Sequence, residues 1–195
     1  MVFKILKSKL SHPFIRFILS FALLIFLWFT FYHFIYKINF VFSSDSSVDL
    51  LNYISIILAE QSNFILNTFG FNTLIEVQNE IVITKIIGND FEHGVWIGEP
   101  CNGVKLFGVF SIFIIAFPGK LKSKIWFIPI GILIIHFVNV IRIAILTVIS
   151  SNNPKLLDFN HNVTFQVIIY SIILLLWFVW INKYADFNNI KNTNQ

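Results

Sequence analysis

Long apolar segments separated by short polar ones dominate the sequence. One runs over Pro13–Tyr36, and others run over about 102–117, 125–150 and 163–181. A helix that crosses a bilayer needs about 20 predominantly apolar residues, so the pattern predicts four transmembrane helices. The segment 47–71 has leucine and isoleucine at helical spacing but also acids and amides. It predicts another helix, which could cross the membrane or lie on it.

The segment 73–98 has a different pattern. It alternates apolar and polar residues, is rich in β-branched side chains, and contains turn residues at Gln78-Asn79 and Gly88-Asn89-Asp90. These features are typical of a β-hairpin. Because the segment is also acidic, we expect a small hairpin outside the bilayer.

Composition supports a membrane protein. The 195 residues are 56% hydrophobic and only 12% charged, whereas a soluble domain has about 25% charged residues. We therefore predict an all-α integral membrane protein with an extracytoplasmic interfacial helix and a small β-hairpin, with the lipid bilayer as its surroundings. The net charge of +4 is an orientation signal, because no basic patch with interleaved aromatic residues indicates nucleic acid as a partner.

The basic connections predict the orientation. Lysines in the segment 1–12 and in the turn Pro118–Lys124 are expected to face the cytoplasm. Both can do so only if 47–71 does not cross. The prediction is a multi-pass plasma membrane protein with both termini cytoplasmic and with outer segments at 38–99 and 151–162. Its units are 1–37 (N-terminal segment and first span), 38–99 (outer region with the interfacial helix 47–71 and the hairpin 73–98), 100–182 (three-helix core) and 183–195 (cytoplasmic tail).

The single cysteine, Cys101, lies at the outer start of the second span. It cannot form an intrachain disulfide or a cysteine-cluster metal site, so it either packs or acts as a nucleophile. A helix N-terminus, a cation or a histidine lowers the pKa of a thiol. The same topology brings Arg142 and His161 to the outer level of the membrane. His161 could move the thiol proton, and Arg142 could hold the thiolate or stabilise an oxyanion.

Each residue also has a structural explanation. Cys101 could simply pack, Arg142 could extend towards the surface, and His161 could be solvated. Asn139 could orient Arg142 or bond another helix, and His136 is better explained as a satisfied interior histidine. Asn162-Val-Thr164 matches a glycosylation sequon but touches a membrane boundary, and we discount it. No metal-ligand spacing or cofactor motif is present in the sequence.

Three motifs carry a family resemblance. Glu99-Pro-Cys-Asn-Gly103 opens one span, Asn139-Val-Ile-Arg142 lies on the next, and His161 precedes the last. Together they resemble the exosortase/archaeosortase family, over about Glu99 to Ile181. Most members have Ser or Thr where this chain has Asn102. Many have about eight spans, so the shorter chain is most similar to the subgroup called exosortase F.

The resemblance implies a membrane cysteine transpeptidase with Cys101, Arg142 and His161 as catalytic residues. Asn139, Asn102 and Gly103 would support them. The implied partners are exported proteins with a C-terminal sorting signal, which consists of a short motif, one transmembrane helix and a basic end. Cleavage would occur at the outer membrane face, with transfer to an unknown acceptor.

Two other classes of function fit the hydropathy. A non-enzymatic assembly or accessory factor of an envelope or export complex would explain the acidic outer region. A small channel or transporter would place polar residues through the depth of several spans. Here they gather at the outer edge, with His136 and Asn139 as the mid-span exceptions, so this class fits least.

Overall fold

Helices account for most of this computed structural model, which describes residues 13–42, 50–78, 81–88, 94–98 and 101–185. The long helices are α1 (Pro13–Phe42), α2 (Leu50–Thr68), α3 (Val104–Ala116), α4 (Leu121–Asn152) and α5 (Phe165–Lys183). The strands are β1 (Thr73–Gln78), β2 (Ile81–Ile86) and β3 (Val95–Trp96). The predicted basic segment 1–12, the end of the tail and Glu99 lie outside the described residues.

The apolar helices confirm the prediction of an all-α, multi-pass membrane protein. In the part of the chain that the structure describes, three stretches are long and apolar enough to cross a bilayer: Ile15–Phe34, Leu121–Asn152 and Pro154–Lys183. The remaining predicted span, α3, is apolar but has only 13 residues. It is about 20 Å long, whereas the hydrocarbon core measures about 30 Å.

Helix α4 is the centre of the bundle and packs closely against α3. Gly131 of α4 faces the ring of Phe110, and a Cβ added to Gly131 would clash with that ring. Phe110 itself is fully buried. Small residues at such contacts let two helix backbones approach each other, so Gly131 determines how near α3 and α4 come.

Aromatic side chains attach α1 and α5 to α3. The Phe17 ring of α1 lies 4.9 Å from that of Phe117, and the Trp177 ring of α5 stacks at 4.1 Å on Phe113. At the other end of α3, the Lys105 ammonium lies 5.1 Å from the centre of the Tyr32 ring. Helices α1 and α3 are therefore antiparallel.

Helix α2 and the sheet pack against the C-terminal half of α4. The Ser62 hydroxyl lies 3.1 Å from the carbonyl oxygen of Val140. The sheet is antiparallel in the order β1-β2-β3, with Thr73 opposite Ile86 and Thr84 opposite Val95. The predicted hairpin and helix are thus confirmed, although residues 47–49 lie outside the described part. The third strand was not predicted.

Most of the predicted outer segment 151–162 is helical and not an irregular loop. A 3₁₀ turn (Pro154–Leu156), a helical turn (Leu157–Phe159) and a π-helical turn (Asn160–Thr164) lead directly into α5. The break from α4 is a single extended residue, Asn153, with φ −151° and ψ 89°. A proline disfavours the helical conformation at the residue before it. Pro154 follows Asn153, which explains why α4 ends there.

Adding a methyl group at Gly131 should disturb the contact between α3 and α4. We expect Gly131→Ala to lower the free energy of unfolding in detergent by about 1–3 kcal/mol, because overpacking displaces the Phe110 ring. The cost should fall when Phe110→Leu is introduced as well, since the two residues are in contact. Equal costs in both backgrounds would contradict this account.

Candidate active site

The turn before α3 presents the cysteine. The carbonyl oxygen of Gly98 accepts hydrogen bonds from the backbone N–H groups of Cys101 and Asn102, at 2.9 and 3.1 Å. Gly103 then adopts a left-handed conformation with φ 80°, which is favourable for glycine. The Asn102 side-chain oxygen accepts a bond from the backbone N–H of Val104 at 3.1 Å. The thiol is therefore held immediately before the helix begins.

Asn139 connects this turn to α4. Its side-chain amide donates to the Cys101 carbonyl oxygen at 2.6 Å, and the residue is only 1% exposed. A Cβ at Gly103 would lie 3.2 Å from the same amide nitrogen. Asn139 therefore bonds the turn that leads into α3, which is close to the second of the two roles considered from the sequence.

His161 is in direct contact with the thiol. Its Nε2 atom lies 2.8 Å from Cys101 Sγ, and its Nδ1 atom lies 3.0 Å from the Oδ1 atom of Asn162. A carboxamide oxygen only accepts hydrogen bonds, so Nδ1 carries a hydrogen, and in the neutral imidazole Nε2 then has a free lone pair. In this tautomer, Nε2 accepts the thiol hydrogen.

Arg142 completes the cluster from α4. It is 5% exposed, and its Nη2 atom donates to the carbonyl oxygen of His161 at 3.4 Å. Two buried donors near the thiol, Arg142 Nε and Asn102 Nδ2, have no hydrogen-bond partner among the described residues. A buried unpaired donor costs about 1–3 kcal/mol. Both are therefore candidates to bind an oxygen that becomes negatively charged during a reaction.

Apolar residues from α2, the sheet and α4 form one buried cluster with Cys101. Cys101 is 4% exposed and packs in one cluster with Leu58 and Ala59 of α2, Val82 of β2, and Ile97. This burial raises the pKa of the Cys101 thiol above the usual cysteine value, and the nearby Arg142 charge offsets only part of the rise. The pKa of the thiol is thus raised and not lowered, because desolvation outweighs the charge of Arg142 and the backbone hydrogen bond at Gly98.

The structure brings the predicted site residues together. Cys101, His161 and Arg142 form one cluster, which Asn139, Asn102 and Gly103 hold in place. His136 lies outside it and bonds the Gln61 side chain at 2.7 Å, which confirms that it is a satisfied histidine. No group of His, Cys, Asp or Glu in the described residues could hold a metal ion.

Asn162 is the site residue that the sequence analysis missed. It was discounted as part of a chance glycosylation triplet, yet it lies next to His161 and bonds its ring. A carboxamide adjacent to a candidate general base was the available signal. The contact between Asn162 and the His161 ring forms within the π-helical turn Asn160–Thr164. Hydropathy does not reveal such a turn.

Comparison with known proteins identifies the family. The sequence profile of the transmembrane exosortases matches residues 12–181. The chain belongs to the transmembrane exosortase family. Comparisons with curated proteins and with solved structures gave no significant match. Membership indicates a membrane transpeptidase involved in protein sorting, and the three motifs lie within the matched part of this exosortase.

The pH dependence of thiol alkylation should report the burial of Cys101. We expect the rate at which iodoacetamide alkylates Cys101 to rise at a higher pH than the rate for an exposed cysteine, since only the thiolate reacts. Arg142→Gln should move the curve to still higher pH, because it removes the charge that favours the thiolate.

Lys124→Gln is the matched control, since it removes one positive charge at the opposite end of α4. The single cysteine ensures that all label reports Cys101. A curve that stays in place or moves to lower pH in Arg142→Gln would contradict the assigned electrostatics.

Proposed function

We propose that this exosortase is a membrane-embedded cysteine peptidase or transpeptidase. It cleaves C-terminal sorting signals of exported proteins at the outer face of the plasma membrane and transfers the new carboxyl group to an acceptor. The observation that carries the proposal is the 2.8 Å contact between Cys101 Sγ and His161 Nε2, with Arg142 bonded to the carbonyl of the same histidine.

The first step is general-base catalysis. The buried thiol is neutral at rest because its pKa is raised, so His161 removes the proton as sulfur attacks the scissile carbonyl. The C–N bond of the peptide then breaks and a C–S thioester bond forms. The departing amine takes the proton from His161. Asn162 keeps the imidazole in the tautomer with hydrogen on Nδ1, which these two proton transfers require.

The unpaired donors stabilise the intermediate. When sulfur attacks, the carbonyl oxygen becomes an oxyanion and needs hydrogen-bond donors that are already in position. Arg142 Nε and Asn102 Nδ2 are buried and unpaired. An Asn in place of the usual Ser or Thr therefore has a specific use, because its oxygen caps α3 while its nitrogen stays available.

The shortness of α3 supports a reaction site below the membrane surface. Trp126 and Tyr184, with ring centres 5.3 Å apart, lie beside the basic turn and mark the cytoplasmic interface. From that level, a helix of 13 residues rises only about 20 Å. Cys101 then lies within the outer leaflet, where the transmembrane helix of a sorting signal arrives by lateral diffusion. Both termini are cytoplasmic in this orientation.

Replacing the nucleophile tests the proposal in the native host. In cells that carry Cys101→Ala, we expect exported proteins with a C-terminal transmembrane helix and basic end to keep that segment. Mass spectrometry of their C-termini measures the change. Cys101→Ser should behave in the same way at equal membrane abundance, because a hydroxyl is a far weaker nucleophile than a thiol near neutral pH.

Normal C-termini in both variants would refute the peptidase. They would instead favour the non-enzymatic assembly factor, for which Cys101, Arg142 and His161 tolerate substitution independently. Gly131→Ala serves as a stability control, since it disturbs packing away from the thiol.

Asn162 should contribute through the His161 tautomer. We expect Asn162→Ala to slow processing by roughly 10- to 100-fold, less than the about 10⁴-fold loss for a charged triad member. Asn162→Asp should restore most of the rate, because a carboxylate also accepts from Nδ1.

Asn160→Ala is the matched control for Asn162. It removes an asparagine from the same π-helical turn, one that bonds the Leu156 carbonyl rather than the imidazole. If both alanine variants slow processing equally, Asn162 only maintains the turn and does not set the tautomer.

A further inference from the structure

A cavity of about 170 Å³ lies between α3, α4 and α5, beside the candidate active site. It is lined by Gly103, Lys105, Leu106, Arg142, Gln166, Ile169 and Tyr170. No residue of α2 or of the sheet contributes to it. The cavity is therefore separate from the apolar cover over the thiol.

The lining of this cavity is suited to water. Arg142, Lys105, Gln166 and Tyr170 supply polar groups from three helices. A cavity holds water when it offers two to four polar partners and more than roughly 15 Å³ of space. By contrast, a larger cavity of about 550 Å³ between α2 and α4 is lined only by apolar side chains, from Ile65 to Val148.

Arg142 connects the cavity to the reacting atoms. Its guanidinium lines the cavity and also bonds the carbonyl of His161, whose ring contacts Cys101 Sγ. Gly103, which also lines the cavity, is only two residues from the cysteine. Arg142 and Gly103 are therefore the residues that the cavity shares with the candidate active site.

We propose that this cavity is the entry site for the second nucleophile, which is water or a neutral primary amine. The inference rests on the proposed function, because it concerns the step that resolves the thioester. An oxygen or nitrogen atom attacks the thioester carbon, and the new C–O or C–N bond replaces the C–S bond. His161 takes a proton from the nucleophile and returns it to the Cys101 sulfur.

The charges of the cavity select the nucleophile. None of its seven lining residues is acidic, and two are cations. Nearby positive charges disfavour an ammonium ion and stabilise the free amine, which is the form that attacks. The Gln166 carbonyl and the Tyr170 hydroxyl oxygen can accept hydrogen bonds from water or from an amine.

Single-cysteine labelling tests whether the cavity is wet. Cys101→Ala removes the only cysteine, after which Gln166→Cys places a thiol in the cavity. Val167→Cys is the matched control, because the next residue lies at the same depth of α5, is 60% exposed and does not line the cavity. In lipid vesicles, we expect a sulfonate-bearing methanethiosulfonate to react at least tenfold faster at position 166 than at position 167.

Filling the cavity provides a second variant. Leu106→Trp should slow labelling of Gln166→Cys severalfold and leave Val167→Cys unchanged. Equal rates at positions 166 and 167, whether fast or slow, would overturn the proposal. So would fast labelling of Gln166→Cys that Leu106→Trp does not affect.

Thioester lifetime tests the role of the cavity in the reaction. In the chain that retains Cys101, Gln166→Leu and Tyr170→Phe should change the rate of acyl-adduct formation by no more than about twofold. The same variants should lengthen the lifetime of the adduct about tenfold. Intact mass spectrometry follows both quantities. Tyr53→Phe, at an exposed tyrosine of α2, is the control. If formation slows as much as breakdown, the cavity binds the substrate peptide and the proposal fails.

The two proposals fail in different ways. The adduct assay uses a precursor that accumulates in Cys101→Ala cells. If the exosortase that retains Cys101 forms no adduct with this precursor, the proposed peptidase activity is refuted. The labelling comparison at positions 166 and 167 needs no substrate, so a dry cavity refutes the entry site whether or not an adduct forms.

Discussion

The hydrogen bond from the Asn139 amide to the Cys101 carbonyl oxygen is the contact on which the rest of the site depends. It joins the turn before α3 to the middle of α4 at 2.6 Å, in a place that is almost fully buried. Inside the bundle an unpaired amide or carbonyl is costly, so this bond fixes how far α3 lies along α4. Arg142, three residues further on, then faces His161.

Much of this arrangement could be predicted from sequence, because apolar length and lysine position are local properties. The segment 102–117 becomes α3 at Val104–Ala116, and Cys101, Arg142 and His161 do meet. The thiol pKa could not be predicted, because Leu58 and Val82 bury the sulfur from distant parts of the chain. Likewise, the two residues of β3 form a strand only because β2 is beside them.

The burial of the thiol changes how its chemistry must begin. An exposed cysteine beside a cation could rest as a thiolate, but Cys101 is covered by α2 and β2 and stays neutral. In the proposed reaction, His161 therefore acts during the attack and not before it. The cover must also move before a peptide reaches the sulfur, since only 4% of Cys101 is exposed. A neutral covered thiol is protected from oxidation and from unwanted acceptors until a substrate displaces the cover.

The two sides of the site then suggest an order of events. In the proposed reaction, the peptide would approach from the apolar side, where α2 and the sheet pack near Cys101, and its arrival would displace them. The second nucleophile would come from the polar cavity that Arg142 lines. While the acylated peptide remains on the apolar side, it keeps bulk water from the thioester. On the two proposals together, the choice between hydrolysis and transfer would depend on which molecule occupies the space beside Gln166 and Tyr170.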